Sequence, residues 1–337
     1  MQKMMQAMQV GGPRGELTLV EKPSPEPAEN EVLLKVQACG VCHGDAVVKE
    51  GQFPRLQYPR IPGHEVVGII EHVGARVRGW KTGQRVGVGW HGGHCFTCIP
   101  CRHGAFGACE SSMTTGLTSD GGYAEYMVAR AEALTEIPEG LSSVDAAPLL
   151  CAGSTTLAAI KASAAKGGDL VAIHGLGGLG HLGVQYAVKL GFRTAVISRG
   201  RGKEELARKL GAHAYIDSDA TDPAKELRRM GGAKLIVATA PSSQGMAGLV
   251  DGLAFKGQLT IITFSNEPMQ LAPSMLMHGA RSIVGWVGGD VQDALRFSVL
   301  TGIVPMIETF PLEEAATAYE RMMSSQVKFR CVLTMEP

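Results

Sequence analysis

Apolar residues take alternate positions in several short stretches of the first part of the chain, and a period of two is typical of strands with one buried face. Residues 15–20 and 31–38 follow it, the second stretch with Val32, Leu34 and Val36 in alternate places. A proline-rich loop, residues 22–30, joins the two. Apolar runs at 66–73 and 85–88 add further strands. The pattern therefore predicts a β-rich, barrel-like domain.

From residue 152 onward the pattern changes to helices that alternate with short apolar strands. The predicted helices lie at 152–164, 185–190, 203–210, 223–230 and 243–253. The predicted strands lie at 169–174, 193–198, 214–216, 235–238 and 258–262. Repeated β–α units imply a parallel, doubly wound sheet, so this part is predicted to have an α/β fold. Two helices, at 290–301 and 312–323, and a strand at 329–333 are predicted to close the chain.

Length and charge narrow the class of protein. The 337 residues are enough for two domains, and 45% hydrophobic with 19% charged residues is a globular composition. Thirty-two basic residues balance thirty-two acidic ones, which argues against a nucleic-acid or membrane-surface partner. No apolar run reaches the length of about 18 residues that spans a bilayer. The polar, methionine-rich start lacks the apolar core of a signal peptide, so a reducing cytoplasm is the expected setting.

Half of the eight cysteines cluster within fifteen residues, as Cys95, Cys98, Cys101 and Cys109. Two intervening residues let a tight turn direct two thiolates at one point, and four thiolates around one Zn²⁺ make a closed structural site. The alternatives are chance clustering of buried cysteines and disulfide bonds, but a chain without a secretory signal favours metal. A closed site has no position for substrate. This zinc is therefore expected to hold a lobe, about residues 91–110, and the chemistry must lie elsewhere.

A glycine-rich turn, Gly175-Leu-Gly177-Gly178-Leu179-Gly180, follows the buried strand at 169–174. Between a strand and a helix this spacing predicts a dinucleotide site. Gly175 permits the tight turn, Gly177 lets the backbone approach a pyrophosphate, and Gly180 allows close helix–strand packing. The N-terminus of the helix offers free N–H groups and a positive dipole end to the phosphates.

Two further motifs complete a family resemblance. They are Cys42-His43-Gly44-Asp45 and Gly63-His64-Glu65. Together with the four-cysteine lobe and the glycine turn, in this order and spacing, they resemble the zinc-dependent medium-chain alcohol dehydrogenases, most closely the bacterial and plant branch with cinnamyl-alcohol-dehydrogenase-like reductases. The resemblance covers essentially the whole chain. It implies a GroES-like catalytic domain, residues 1–152 and 284–337, and a Rossmann cofactor domain, residues 153–283.

The resemblance also implies a catalytic zinc, held by Cys42, His64 and Cys151. A catalytic zinc keeps three protein ligands and one open position, and Cys₂His is the set that alcohol dehydrogenases use. Asp45 is expected to accept a hydrogen bond from His64 and so to fix its tautomer. Glu65 is expected behind the zinc, where it assists ligand exchange as a further metal-site residue. The other two thiols, Cys39 and Cys331, are expected to be structural. The four-cysteine set and the Cys₂His set together predict two zinc ions per chain.

The end of the second strand of the cofactor domain bears on the choice of nicotinamide. A carboxylate there would bind the ribose 2′-OH of NAD. This chain instead has Ser198 and Arg199, followed by Arg201 and Lys203, with no acidic residue before Glu204. An arginine fork suits a 2′-phosphate. NADP(H) is therefore favoured, with NAD(H) possible, and the alternative is a solvated basic turn.

The chain departs from the family at the proton relay. The family carries Ser or Thr two residues after the first zinc ligand, where this chain has Gly44, and a histidine where this chain has Val47. His43, which in the family faces the cofactor phosphates, is expected to bind pyrophosphate, donate a proton, or both. Trp90 and Trp286 occupy positions where the family has large pocket residues, and they are equally compatible with a plain core role.

The sequence thus predicts a zinc-dependent oxidoreductase that moves a hydride between NAD(P)H and a small carbonyl compound or alcohol. The first alternative is an NADPH-dependent reductase of C=N or activated C=C bonds, for which a missing relay does no harm. A second alternative is a non-catalytic NADPH-binding or redox-sensing protein, against which the complete ligand set argues. The family resemblance implies a homodimer or homotetramer.

Overall fold

The structure is a computed structural model that describes residues 3–53 and 56–335. Over these residues the chain forms seventeen strands and eleven α-helices. The strands are β1 Met4–Val10, β2 Leu17–Pro23, β3 Glu31–Val41, β4 Val66–Val73, β5 Arg85–Val88, β6 His91–Gly93, β7 Met113–Thr114, β8 Tyr126–Arg130, β9 Leu134–Glu136, β10 Leu170–His174, β11 Arg193–Ser198, β12 Ala214–Asp217, β13 Ala233–Ala238, β14 Leu253–Ile261, β15 Ser282–Gly285, β16 Ile307–Pro311 and β17 Arg330–Thr334.

The helices fill most of the connections between these strands. They are α1 Ala46–Lys49, α2 Ile99–Arg102, α3 Ser143–Ala146, α4 Ala152–Lys161, α5 Gly180–Lys189, α6 Glu204–Lys209, α7 Pro223–Arg229, α8 Ser243–Leu249, α9 Ser274–Met277, α10 Val291–Thr301 and α11 Ala315–Met323. Short 3₁₀ helices lie at His43–Asp45, Phe106–Ala108, Ala131–Ala133, Ala147–Leu150, Val250–Gly252 and Leu312–Glu314. In the described part of the chain, no single helix is both long and apolar enough to cross a membrane, although the consecutive helical stretches Ser143–Leu150 and Ala152–Lys161 together meet that test by length and composition.

The chain divides into two compact units. The first holds the residues up to Cys151 together with Val291–Val299 and the residues from Pro305 onward, and the second holds Ala152–Asp290 and Leu300–Val304. The sequence placed the return to the first unit at residue 284. That position lies within β15, which pairs in the parallel sheet of the second unit, so the division falls after Asp290 instead.

The first unit is built on a seven-stranded sheet in the order β16-β17-β3-β4-β5-β9, with β8 also paired to β3. Strand β3 is central, because it pairs antiparallel with β4, β8 and β17. Its alternate residues Val32, Leu34 and Val36 are buried, as the sequence pattern predicts. The strand runs beyond residue 38 to Val41, which carries the chain from the core of the sheet directly to Cys42.

The N-terminal strand β1 carries no clear signal in the sequence. Its residues Met5, Ala7, Met8 and Val10 are buried, and the strand pairs antiparallel with β2. Methionine and alanine have weaker strand propensity than β-branched residues, so tertiary packing decides the conformation here.

The second unit is a six-stranded parallel sheet in the order β12-β11-β10-β13-β14-β15. The strand order reverses direction at β10, which is the topological switch point of a doubly wound fold. Strands β10, β11 and β13 are almost wholly buried, as expected for a sheet covered on both faces. The α/β class predicted from the sequence is confirmed.

Several boundaries in this unit differ from the sequence prediction, among them the ends of α4 and α8, and two of the differences have a local reason. Helix α5 starts at Gly180 and not at residue 185. Glycine has a low helix propensity, so the sequence pattern did not indicate this start. Gly180 is needed for packing, because a Cβ there would lie 2.0 Å from the carbonyl oxygen of Gly175. Strand β14 starts at Leu253 and not at residue 258. Lys256 has a φ of +53°, and this irregularity interrupts the apolar alternation on which the prediction depended.

Candidate active site

A single helical turn after β3 positions two of the predicted site residues. Cys42 is extended, with φ −127° and ψ 153°, and it is the N-cap of the 3₁₀ helix His43–Asp45. The Asp45 Oδ2 atom accepts a hydrogen bond from the Cys42 backbone N–H at 2.9 Å, and the Gly44 N–H points to Cys42 Sγ at 3.5 Å. This capping arrangement fixes the thiol and the carboxylate relative to each other.

Four side chains that the sequence singled out meet at one point in the first unit. One ligand atom from each of Cys42, His64, Glu65 and Cys151 lies within 4.8 Å of the others. The His64 side chain is buried, and its Nε2 atom has no hydrogen-bond partner among the described residues. A buried, unpartnered imidazole nitrogen beside two thiols is costly unless a metal ion or a proton donor fills the gap. The donor set of two sulfurs and one nitrogen fits zinc.

Asp45 organises the other side of His64. The distance from His64 Nδ1 to Asp45 Oδ1 is 3.0 Å, and the same oxygen accepts the Gly63 N–H at 3.2 Å. The second oxygen accepts the Tyr123 hydroxyl at 2.9 Å in addition to the Cys42 N–H. A carboxylate can only accept, so Nδ1 carries a hydrogen and Nε2 is the nitrogen left for the cluster, where a bound cation would take its lone pair. Burial and the nearby Asp45 carboxylate raise the pKa of the Tyr123 phenol well above its usual value, so the hydroxyl stays a donor.

Glu65 has a partner that no sequence signal indicates. Arg330, the first residue of β17, donates through one nitrogen to both Glu65 carboxylate oxygens, at 2.5 and 2.6 Å. Both side chains are buried, at 7% exposure for Arg330 and 0% for Glu65. Burial raises the pKa of Glu65 to about 8, while the Arg330 charge acts in the opposite direction. The structure therefore brings Glu65 into the cluster, but with its oxygens engaged by an arginine.

The charges of the cluster favour a thiolate at Cys42. A hydrogen bond from Cys151 and the positive charges of His64 and Arg330 lower the pKa of Cys42 well below its usual value. The pKa of Cys151 is raised, because it is the hydrogen-bond donor of the pair and is buried. For His64, burial lowers the pKa, but the charges of Asp45 and Cys42 outweigh burial and raise it. These groups thus share protons that a bound cation would displace.

Trp90 covers Gly44 next to the cluster. The Trp90 ring stands edge-on to His64, with 4.8 Å between ring centroids and an interplanar angle of 88°. A Cβ on Gly44 would lie 2.7 Å from His64 Cε1 and 2.9 Å from Trp90 Cζ3. The structure therefore places Trp90 where a side chain at residue 44 would be. His43 is exposed, and Val47 is partly buried in α1.

Trp286 lies in the second unit, after β15, where its indole N–H donates to the Gly288 carbonyl at 3.0 Å. This local bond gives Trp286 a role in the turn after the strand. Trp90 lies beside the cluster within the first unit, and a pocket role for Trp286 stays a prediction.

The four cysteines of the lobe form a second cluster. Their sulfurs lie within 4.8 Å of one another, with Cys95 to Cys101 at 4.0 Å and Cys98 to Cys109 at 3.9 Å. Four sulfurs at about 2.3 Å from a tetrahedral zinc would be about 3.8 Å apart, so the spacing fits. Hydrogen bonds from Thr97 and the Cys98 N–H lower the pKa of Cys95 to about 5. None of the eight cysteines forms a disulfide bond.

The glycine turn has the geometry that a dinucleotide site needs. Gly175 has a φ of +96°, which a residue with a side chain rarely adopts. The space where a Cβ on Gly177 would point is open, with no atom within 4 Å, so a ligand can approach the backbone there. Gly178 and Leu179 lead into α5, and Leu179 is its N-cap.

The basic turn after β11 lies against this glycine turn. Lys203 Nζ donates to the Leu176 carbonyl at 2.9 Å, and desolvation together with the charge of Arg199 lowers the pKa of Lys203. Two cations are therefore close to each other beside the glycine turn. Arg201 is 83% exposed and lies 3.7 Å from Glu204, which agrees with a solvated role for that residue alone.

The sequence does not indicate that a carboxylate lies near this turn, because that carboxylate belongs to the neighbouring strand of the sheet. Asp217 ends β12 and is the register partner of Ser198. Its Oδ1 atom accepts the backbone N–H groups of Gly200 at 2.8 Å and Asp219 at 3.0 Å. These bonds hold the carboxylate in the loop.

Comparison with known proteins agrees with this geometry. Residues 28–139 match the family model described as alcohol dehydrogenase GroES-like domain, and residues 178–300 match the model described as zinc-binding dehydrogenase. The alcohol dehydrogenase notN of Aspergillus sp. (strain MF297-2) is 43% identical over 325 residues, covering 95% of both chains.

Solved structures are similar over nearly the whole chain. A cinnamyl alcohol dehydrogenase from Sorghum bicolor, SbCAD4, superposes with a TM-score of 0.89 at 29% identity, covering 98% of each chain. A cinnamyl alcohol dehydrogenase from Helicobacter pylori, solved in complex with NADP(H), superposes with a TM-score of 0.88 at 25% identity, covering 99% of each chain. The similarity thus extends over both units.

Proposed function

The chain belongs to the zinc-dependent medium-chain alcohol dehydrogenase family, and within it we propose a protein that works mainly as an NADPH-dependent reductase of carbonyl compounds. As a member of this family it is an oxidoreductase that transfers a hydride between a nicotinamide cofactor and a small alcohol, aldehyde or ketone. The observation that carries the use of NADPH is the pair of cations beside the glycine turn, where Lys203 is bound to the Leu176 carbonyl and Arg199 lies close enough to lower the pKa of Lys203.

We propose that Cys42, His64 and Cys151 hold the catalytic zinc. The unpartnered His64 Nε2 and the low pKa of the Cys42 thiol support this ligand set. When bound, zinc polarises the substrate oxygen as a Lewis acid, and NADPH supplies the hydride. Asp45 orients His64. Glu65, paired with Arg330, balances the buried charge behind the site and stays off the metal while that ion pair is intact.

A second zinc is proposed in the lobe, held by Cys95, Cys98, Cys101 and Cys109. Sulfur–sulfur distances of 3.9 and 4.0 Å support a closed four-thiolate site. Because a closed site leaves no open position, its role is to fold the lobe.

The preference for NADP(H) is proposed for Ser198, Arg199 and Lys203. Lys203 is anchored on the glycine turn through Leu176, and Arg199 is close enough to affect its pKa. The charged pair would favour a 2′-phosphate over a bare ribose hydroxyl. His43, exposed beside Cys42, is proposed to contact the cofactor phosphates or to donate a proton.

A different feature, Gly44 under the Trp90 ring, leaves no room for a relay hydroxyl and favours a second candidate activity, the reduction of C=N or activated C=C bonds. Hydride addition to an iminium carbon gives a neutral amine and no alkoxide, so no relay proton is needed, and the missing hydroxyl and Val47 are no handicap. Carbonyl reduction remains the first candidate, since the family relationship supports it directly.

A substrate screen tests both proposals. NADPH or NADH oxidation is followed with aldehydes, ketones, cyclic imines and enals, and alcohol oxidation is measured for the matching products. Carbonyl turnover with NADPH above that with NADH supports the first proposal, and turnover only of imines or enals supports the second. Absence of NADPH-dependent turnover with all of these substrates would contradict both.

We also propose a cytoplasmic homodimer or homotetramer. Eight cysteines without a disulfide bond, six of them in the two clusters, suit a reducing compartment. Large hydrophobic side chains are exposed on the second unit, with exposures of 68% to 86%, as expected where a further subunit covers such side chains. They are Phe255, Phe264, Met277, Val287 and Leu300.

A further inference from the structure

Tyr123 is a fully buried residue whose hydroxyl reaches the metal cluster through one intermediate. The side chain has no solvent exposure, and its hydroxyl donates to Asp45 Oδ2 at 2.9 Å. The two residues are 78 positions apart in sequence. A buried tyrosine hydroxyl needs a partner, and this one has a carboxylate that is itself hydrogen-bonded to His64.

Asp45 accepts four hydrogen bonds, two on each oxygen. Oδ1 faces the Gly63 N–H and His64 Nδ1, and Oδ2 faces the Cys42 N–H and the Tyr123 hydroxyl. Donors on both oxygens hold the carboxylate plane in one orientation. Without the tyrosine hydroxyl, Oδ2 keeps one donor and the carboxylate gains freedom to rotate away from His64.

The tyrosine ring is itself placed with little freedom. Its backbone N–H donates to the Pro62 carbonyl at 3.1 Å, and its carbonyl accepts the Met8 N–H at 2.8 Å. A Cβ on Gly63 would lie 2.4 Å from Tyr123 Cδ1, so the ring lies directly over that glycine. Gly63 has a φ of +102°, which requires glycine, and the residue that follows it is His64. The segment that carries the ligand histidine is thus packed under the tyrosine.

We propose that Tyr123 is a positioning residue of the catalytic metal site, whose hydroxyl fixes Asp45 and thereby the tautomer and direction of His64. This proposal depends on the proposed function in one respect, namely that the cluster of Cys42, His64 and Cys151 holds zinc. Removal of a direct partner of a metal ligand typically costs about 10–100-fold in metal affinity. Tyr123 is one step further away, so we expect a smaller loss, on the order of 3–10-fold.

The test compares Tyr123→Phe with the parent protein. Zinc affinity is measured at each of the two sites by competition with a chromophoric chelator, and zinc per chain is counted. Tyr126→Phe is the matched control: it lies in the next strand, and its hydroxyl is 2.5 Å from Lys3 Nζ and not bound to Asp45. We expect the variant at Tyr123 to weaken one zinc only, with unchanged affinity at the four-cysteine site, and the control to leave both unchanged.

A double-mutant cycle with Asp45→Asn shows whether the tyrosine acts through Asp45. With Asp45 already replaced, the additional Tyr123→Phe change is expected to alter zinc affinity by less than about twofold, because coupled residues are not additive. Parental zinc affinity in Tyr123→Phe, or equal weakening of both zincs together with a lower unfolding midpoint, overturns the proposal. A Cys42→Ser variant with the same zinc count as the parent would instead overturn the proposed function itself.

Discussion

Gly44 and Trp90 are matched in size beside the predicted catalytic zinc. A Cβ on residue 44 would come within 2.9 Å of the Trp90 ring and 2.7 Å of the His64 ring. Real Cβ contacts do not reach such distances, so any larger residue at 44 requires Trp90 or His64 to move. Glycine at position 44 therefore does more than remove a hydroxyl, because only glycine leaves room for the Trp90 ring in its observed position.

The first prediction concerns this pair. Gly44→Thr alone is expected to lose activity and to weaken zinc binding, because the new side chain pushes on His64. Gly44→Thr combined with Trp90→Leu has room for the hydroxyl, and we expect it to gain alcohol oxidation relative to imine reduction. General acid–base help is typically worth about 10²–10⁴-fold, and the gain should fall at or below the lower end.

The measurement is kcat/KM for alcohol oxidation divided by kcat/KM for imine reduction, in the parent, both single variants and the double variant. Trp90→Leu alone is the control for the change of pocket shape. A Gly44→Thr variant that keeps its zinc and gains oxidation without any change at Trp90 would contradict the size match.

The second prediction concerns the buried ion pair of Glu65 and Arg330. Arg330→Met leaves the buried Glu65 side chain without its partner, and loss of one member of a buried pair typically costs about 3–5 kcal/mol in the free energy of unfolding. Replacing both, as Glu65→Gln with Arg330→Met, removes the ionisable group as well and should cost far less. Chemical denaturation of both variants and the parent measures this. Equal destabilisation in the single and the double variant would show that packing, and not charge, is lost.

The stability of Arg330→Met is also expected to depend on pH. Without Arg330, burial alone acts on Glu65, so its folded pKa rises further above the value of about 8 that it has beside the arginine. The folded state then binds a proton that the unfolded state, with a pKa near 4.3, has already released at neutral pH. Stability of Arg330→Met should therefore fall as pH rises above about 4.3, by up to about 1.4 kcal/mol per pH unit, relative to the double variant. A flat difference between pH 5 and 9 would contradict this.

The sequence predicted what depends on local spacing. Neighbouring residues determine the geometry of three features: the short-range cysteine pairs, the histidine next to Gly63, and the glycine turn between a strand and a helix. Arg330 lies 265 positions from Glu65, and Tyr123 lies 78 positions from Asp45. No periodicity or spacing links residues so far apart, since only the pairing of β3 with β17 and the packing of Tyr123 over Gly63 bring them together. The close contact of Gly44 and Trp90 was missed for the same reason.

The third prediction separates the two metal clusters. Metal analysis of protein made without excess zinc should find close to two zinc ions per chain. Cys98→Ser should lose one zinc and lower the unfolding midpoint, because a closed structural site contributes folding energy. Cys42→Ser should also lose one zinc, but keep the fold and remove activity.

Cys331→Ser is the matched control for both substitutions. Its thiol is buried and donates to the Ala318 carbonyl at 3.4 Å, outside either cluster. It should keep two zincs and activity. A parent with one zinc, or a Cys98→Ser variant that loses activity at parental stability, would contradict the division of roles.

The last prediction concerns Arg199 and the choice of cofactor. Arg199→Ala is expected to raise the KM for NADPH by about 10–100-fold and to leave that for NADH nearly unchanged, because a hydrogen bond to a charged group is worth about 1.5–3 kcal/mol and each 1.4 kcal/mol is tenfold. Arg201→Ala is the control, since that side chain is 83% exposed and lies near Glu204. Asp217 is the nearby carboxylate that would favour NAD, but the Gly200 and Asp219 N–H groups bind one of its oxygens. If Asp217 nevertheless turns to the ribose, both KM values will respond equally to Arg199→Ala and NADH will be the better cofactor in the parent. That result would show that the basic turn is only solvated, and that Asp217 at the end of β12 determines the choice of cofactor.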